Sequence, residues 1–330
     1  MNYLDAARKV YDTFESTNFR KLLGSYSKDY DTVFASLDEK VGFNKLRESY
    51  INDIQATIDN YLPFFKDELE KFLKLNEVTY YEKNISLRTL SFLMWIWKKK
   101  LDLSEKSLQK FIDSLFLGTF GYKMIDFSLD NKNTNSEVSL VGFYSIRLAE
   151  KLLAEVLGHD NTHEAITKYF SLYFETELFE KKNRWKECPF TWNEAELLGN
   201  KGAPIYTIYE SLFKYAGYSY KKIREINASL QYVSAVIQLI DDLADAKQDL
   251  SNGYETLVMS GYYKTFGINS EITDERINQT LSQERLKMIY ITGQNLLDKA
   301  RKLFEKNDEF VIQLNVELFN LNFVTLFHTT

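Results

Sequence analysis

The chain has one cysteine, Cys188, so it can form no internal disulfide and no cysteine-ligated metal centre. Only 3 prolines and 13 glycines occur in 330 residues, which disfavours a turn-rich β architecture and favours long uninterrupted helices. Histidine is equally scarce. His159, His163 and His328 are the whole supply, and neither His159 nor His163 has a glutamate three residues before it. The Glu-x-x-His pairs of a carboxylate-bridged di-iron bundle are therefore missing. Positive charge is not in excess: the formal net charge is −6, and a phosphate backbone calls for a basic surface, so nucleic acid is not an expected partner. Long apolar runs are absent too. The most apolar stretch, Leu90 to Trp97, gives way at once to three lysines and is too short to span a bilayer. Met1 to Asp5 has no apolar core of the signal-peptide kind. These absences predict a soluble, cytoplasmic protein with no stable membrane insertion.

Aromatic residues are abundant, at 15% with 24 Phe, 22 Tyr and 4 Trp, more than core packing alone leads one to expect. Apolar residues recur at three- and four-residue spacing, predicting helices over roughly 4–24, 32–59, 64–75, 86–100, 104–127, 137–157, 162–182, 203–216, 220–249, 283–305 and 308–327. Polar clusters at Asn131 to Ser136, Lys186 to Pro189, Gly199 to Pro204 and Ser251 to Gly253 mark the breaks. No repeat or low-complexity linker appears. The reading is an all-α protein, with residues 1–85 as helices packed on a main domain over 86–330.

Two aspartate clusters carry the chemistry. In Ser229 to Leu250, the apolar face of Leu230, Val233, Val236, Ile237 and Ile240 is continued at one-turn steps by Asp241, Asp245 and Asp249. At 100° per residue these three acids fall within about 80° of one another, and Asp242 sits at the edge of that sector. Carboxylates on a face that is otherwise buried are costly unless cations compensate them. Oxygen donors without His or Cys select a hard ion, magnesium or manganese. The other cluster, Asp126 and Asp130, shares a helix face with Thr119 and Tyr122, and Gly118 and Gly121 in the same helix suggest a close approach by backbone or ligand. Glu175 and Glu177, two positions apart, point to different sides of a helix and are not assigned to the site.

Asp241-Asp242-Leu243-Ala244-Asp245-Ala246-Lys247-Gln248-Asp249 resembles the second metal motif of the class I isoprenoid synthase superfamily, which holds terpene cyclases, trans-prenyl diphosphate synthases and squalene/phytoene synthases. Asp126-Phe127-Ser128-Leu129-Asp130 is similar to the first aspartate-rich motif with its second Asp lost, and Tyr122 to Asn131 is similar to bacterial large-terpene synthases. Lys201-Gly202-Ala203-Pro204 resembles the lysine-led segment that contacts diphosphate in prenyl synthases.

The resemblance covers about residues 86–265. It implies a class I terpenoid synthase-like helical bundle with a central cavity, a prenyl diphosphate substrate of C15–C25, and about three Mg2+ ions (Mn2+ as the substitute) held by Asp126, Asp130, Asp241, Asp242, Asp245 and Asp249. Lys201 and Tyr254 would contact the diphosphate, and a homodimer is the assembly common among relatives. Phe92, Trp95, Phe116, Phe120, Tyr122 and Tyr232 are candidates to shield a carbocation, because aromatic faces attract cations and exclude water, although core packing is the ordinary role of each.

The departures shape the functional expectation. The Gly-Gly-Lys-Arg and Arg-Arg-Gly segments that elongating enzymes use for a second substrate are absent, and Phe327-His328-Thr329-Thr330 lacks the Arg-Tyr pair of many microbial cyclases. The expected activity is a divergent terpene cyclase that ionises one allylic diphosphate. A prenyl-condensing enzyme on the same fold is the alternative, and a catalytically inactive helical scaffold is the remaining one.

Overall fold

In a computed structural model, residues 2–16, 43–65, 89–130, 136–184 and 194–307 are described, and no strand occurs among them. The chain separates into two compact units, Met1–His159 and Asp160–Thr330. The division expected at residue 85 falls outside the described residues, as do most of the helices expected over 64–75 and 308–327.

In the first unit, helix α1 (Tyr3–Ser16) packs on α2 (Phe43–Tyr61). The Tyr3 N–H donates to the Asp53 carboxylate at 3.0 Å, and the Tyr3 and Tyr50 rings meet edge-on at 5.0 Å. Helix α3 (89–98) buries Leu90, Leu93, Met94 and Ile96. Helix α4 (Glu105–Asp130) begins where Ser104 Oγ accepts the Ser107 N–H, and it packs along α5 (Ser136–Leu157). A Cβ on Gly121 would lie 2.7 Å from the Gly142 carbonyl oxygen and 2.9 Å from the Ile146 nitrogen. Gly121 is thus required by backbone contact between α4 and α5, not by a ligand. Gly118 is different, since a Cβ there would meet Ala149 at an ordinary 3.5 Å.

The second unit starts with α6 (His159–Arg184), which follows the left-handed Gly158 (φ 85°) and so begins before the expected Asn161–Glu164 cap. Next come α7 (Ala195–Leu198), a 3-10 turn (Gly199–Gly202) and α8 (Ala203–Tyr215), with Pro204 in the first turn where its missing N–H costs nothing. Helix α9 (Tyr220–Ala244) is capped by Ser219, buries Ile223, Ile226, Leu230, Val233, Val236 and Leu239, and packs against the 3-10 turn, α7, α8 and α13 (Gln283–Asn307). Between α9 and α13 lie α10 (Ala246–Ser251), α11 (Tyr262–Phe266) and α12 (Asp274–Thr280). The helix expected over 220–249 breaks at Asp245 (φ −100°, ψ 8°). The short helices α7, α11 and α12 carry too few turns for a periodic signal. No described helix is long and apolar enough to cross a membrane.

A buried carboxylate ties three helices of this unit together. Glu210 of α8 accepts from Tyr169 Oη of α6 at 2.6 Å and from Asn227 Nδ2 of α9 at 3.2 Å, and it pairs with Lys168 at 3.1 Å and Lys214 at 3.0 Å. Burial pushes its pKa up, but the hydrogen bonds from Tyr169 and Lys214 and the charge of Lys168 outweigh burial and hold it below the ordinary value. A carboxyl depressed on folding contributes stability above its unfolded pKa and loses that contribution as pH falls through the folded value. Glu210→Gln should therefore cost about 2 kcal/mol at pH 7, and the deficit should shrink towards pH 3. Urea unfolding of both proteins across pH 7 to 3 measures this; a deficit that grows on acidification would contradict it.

Candidate functional site

The end of α9 and the start of α10 carry four aspartates. Asp245 N–H donates to the Asp241 carbonyl and Asp249 N–H to the Asp245 carbonyl, each at 2.9 Å, so the one-turn spacing survives the kink. Their surroundings differ: Asp245 is exposed, Asp241 and Asp249 are half-buried, and Asp242 is 6% exposed. The sequence reading put Asp242 at the edge of the acidic sector. Asp242 is instead the acid that continues the buried stripe of Ala235 and Leu239, at four- and three-residue steps.

Two glutamates of α6, Glu177 and Glu180, are 3% and 1% exposed. Between them Lys201 presents its ammonium, 3.0 Å from Glu180 Oε2 and 3.4 Å from Glu177 Oε1. Lys201 is held there by its turn. A Cβ on Gly199 would lie 2.2 Å from the Gln231 carbonyl oxygen and one on Gly202 would lie 2.2 Å from Ser234 Oγ, so only glycines let the turn press against α9. Tyr206 Oη donates to the Gly199 carbonyl and pins the turn from below.

Burial raises the Asp242 pKa well above the ordinary value; the charge of Glu180 raises it further, Lys201 pulls it down, and Asp241 and Asp249 push it up again. Its Oδ2 is buried with no hydrogen-bond partner. Glu177, Glu180 and Asp242 thus gather about the Lys201 ammonium, and carboxylates buried together are costly unless protons or cations offset them.

Tyr254 follows the left-handed Gly253 (φ 81°), donates its N–H to the Asp249 carbonyl at 2.8 Å, and is buried with Lys181 Nζ 5.0 Å from its ring centre. Asp126 and Asp130 belong to the other unit. Asp126 is 22% exposed on the last turns of α4 and pairs with Lys123 at 2.9 Å; Asp130 ends that helix, and its side chain lies outside the described residues.

Of the aromatics, Phe92, Trp95, Phe116 and Phe120 are buried, with Phe116 and Phe120 stacked at 6.1 Å beside Leu117 and Met124. Burial pushes the Tyr122 hydroxyl up, with Glu150 adding to it. Tyr232 is half-buried with Lys299 Nζ 5.2 Å above its ring.

Glu177 and Glu180 were missed in the sequence, although a signal was there. Tyr169, Tyr173, Thr176, Glu177 and Glu180 form one buried stripe at three- and four-residue steps, the same pattern of apolar face running into acids that marks α9.

Hard oxygen donors and an orphaned buried Asp242 oxygen fit a divalent ion such as magnesium. Among the described residues, however, no three acids or imidazoles are already close enough to ligate one ion by themselves. The Lys201 ammonium lies inside the cluster.

No protein-family model matches the chain, and no curated protein matches it in sequence. Solved structures do. A decaprenyl diphosphate synthase from Rhodobacter capsulatus superposes with a TM-score of 0.62 at 14% identity, covering 88% of this chain and 98% of that one. The chain has the class I isoprenoid synthase fold. A polyprenyl synthase from Roseobacter denitrificans (TM-score 0.56, 12% identity, 81% and 99% covered) shares it. So does a heptaprenyl diphosphate synthase from Staphylococcus aureus (0.54, 16%, 80% and 98%). On this isoprenoid synthase fold, the Gly199–Gly202 turn and the end of α9 bring Lys201 and Asp242 into one acidic cluster with Glu177 and Glu180 of α6.

Proposed function

We propose that the protein is a magnesium-dependent enzyme that ionises an allylic prenyl diphosphate and transfers the prenyl group to a second prenyl substrate. The observation that carries this reading is the buried cluster of Glu177, Glu180 and Asp242 around Lys201, in a fold whose similar structures include decaprenyl and heptaprenyl diphosphate synthases. This departs from the cyclase first expected, because the similar structures are synthases that bear the alternative's name.

Asp241, Asp242, Asp245 and Asp249 are assigned to hold the metal, and the sequence motif assigns Asp126 and Asp130 the same role. Bound magnesium or manganese would supply Lewis-acid polarisation of the diphosphate oxygens. Lys201 would exchange its glutamate partners for a leaving-group oxygen and stabilise the charge that develops there, and Tyr254 would donate to the same group. The C–O bond breaks with its electron pair leaving on diphosphate. The acceptor's double bond then forms the new C–C bond, and loss of one proton completes the transfer. Aromatic walls would keep water from the cation. The exposed Leu140, Phe143 and Tyr144 on α5 would give the expected homodimer an apolar surface.

The second reading, a cyclase, is favoured by the missing Arg-Arg-Gly and Gly-Gly-Lys-Arg segments. Product analysis separates the two. The purified protein with Mg2+ and farnesyl or geranylgeranyl diphosphate, alone and with isopentenyl diphosphate, should yield products with more carbons than the allylic substrate and none in EDTA. A hydrocarbon or alcohol of unchanged carbon number would overturn transfer in favour of cyclisation.

A further inference from the structure

Beside the α11–α12 segment of the second unit lies a cavity of about 520 Å3, lined by Leu257, Phe266 and a set of polar groups. Its walls carry two cations, Lys264 and Arg285, four hydroxyls (Ser260, Thr265, Thr280 and Ser282) and the Gln279 amide, but no carboxylate. This is against the trend of a chain whose net charge is −6.

The Arg285 cation is held by backbone carbonyls rather than by a paired carboxylate. Its Nη1 donates to the Val258 and Ser260 carbonyls at 3.1 and 2.6 Å, and it makes no ion pair among the described residues. Burial lowers its pKa, and the charge of Glu255 acts the other way. Glu255 itself accepts the Tyr263 N–H at 2.9 Å, which occupies that carboxylate with the backbone. Lys264 is exposed and also makes no ion pair among the described residues.

We propose that this cavity binds a phosphorylated small molecule, at a site separate in its residues from the acidic cluster. The charge matches: two cations balance a phosphate monoester, which carries about −1.5 to −2 at neutral pH. The donors match as well: Thr265 and Thr280 donate to the Gly261 and Arg276 carbonyls, but the Lys264 ammonium, the guanidinium N–H groups of Arg285 beyond Nη1, and the Ser260 and Ser282 hydroxyls remain for a phosphate's three acceptor oxygens. The volume matches an organic phosphate rather than a bare ion, since small-molecule sites run from about 300 to 1,000 Å3. A ligand there would brace the Leu257–Gly261 segment, whose carbonyls Arg285 already holds.

The test uses the full chain in EDTA, so that metal-dependent diphosphate binding at the acidic cluster is silent. Inorganic phosphate and glycerol 3-phosphate are titrated by calorimetry into the wild type, Lys264→Glu, Arg285→Lys and Asp242→Asn. Glycerol 3-phosphate should bind more tightly than inorganic phosphate. The exposed Lys264→Glu, which should fold normally, should weaken both by about tenfold or more, as expected for reversing a charge in contact with an anion. Arg285→Lys keeps the charge but loses the fork and should weaken both by a smaller factor, while Asp242→Asn should bind as the wild type does. No binding at millimolar concentrations, or binding indifferent to Lys264→Glu, overturns the proposal. Loss of turnover without loss of phosphate binding would bear on the acidic cluster alone.

Discussion

Asp242→Asn should lower turnover on an allylic diphosphate by on the order of 1,000-fold while making the metal-free protein more stable at pH 8. The two effects share a cause. Asp242 is buried among Glu180, Asp241 and Asp249, and its charged form is tolerated only when a cation accompanies it. Its pKa is raised on folding, so the folded state holds the proton more tightly than the unfolded chain. The stability this brings is full below the unfolded pKa and is lost as pH rises through the folded one. Asparagine has no charge to bury, so it escapes that loss, but it also removes an anionic donor from the site. Steady-state kinetics in saturating Mg2+ and thermal unfolding in EDTA between pH 5 and 8 check the pair. Unchanged turnover would remove Asp242 from the mechanism, and a destabilised variant at pH 8 would show that its carboxylate is well compensated without metal.

The second large effect is expected at Gly199, which no motif names. Its backbone is ordinary (φ −57°, ψ −21°), so alanine is not excluded by conformation. It is excluded by space, because the added Cβ would sit 2.2 Å from the Gln231 carbonyl of α9. Gly199→Ala must push the 3-10 turn off α9, at a cost of about 3 kcal/mol, and carry Lys201 away from Glu177 and Glu180. Turnover should fall by more than tenfold in the fraction that stays folded, since small misplacements of a charged group are expensive in catalysis. Gly118→Ala is the control. Its Cβ would meet only Ala149 at 3.5 Å in a helix interior, so it should be neutral or stabilising by up to about 1 kcal/mol. Chemical denaturation of the two variants beside the wild type measures the contrast; equal effects would mean that the approach of turn and helix is not what fixes Gly199.

Much of the fold can be read from the one-dimensional pattern. Long amphipathic helices such as α5, α8 and α13 announce themselves because a period of 3.6 residues repeats over several turns. The four aspartates at the junction of α9 and α10 were legible for a related reason: carboxylates that continue an apolar stripe violate the ordinary sorting of charge to the surface. The same rule pointed at Glu177 and Glu180, but the pairing that matters was 177 with 180, one turn apart, rather than 175 with 177.

The sequence by itself determined the all-helical architecture, the exclusion of an internal disulfide by its one cysteine, and the one-turn spacing of its aspartates. These depend on residue type and local spacing, which no later folding step can alter. Tertiary structure alone decided which acid is buried: Asp242 continues the packed face of α9, while Asp245, at the kink, lies in solvent. It also decided that Gly199 and Gly202 serve contact rather than flexibility, and that Lys201 meets two glutamates more than 20 residues before it in the chain. Contacts between segments distant in sequence are set by how whole helix faces fit together, and no local pattern encodes that fit.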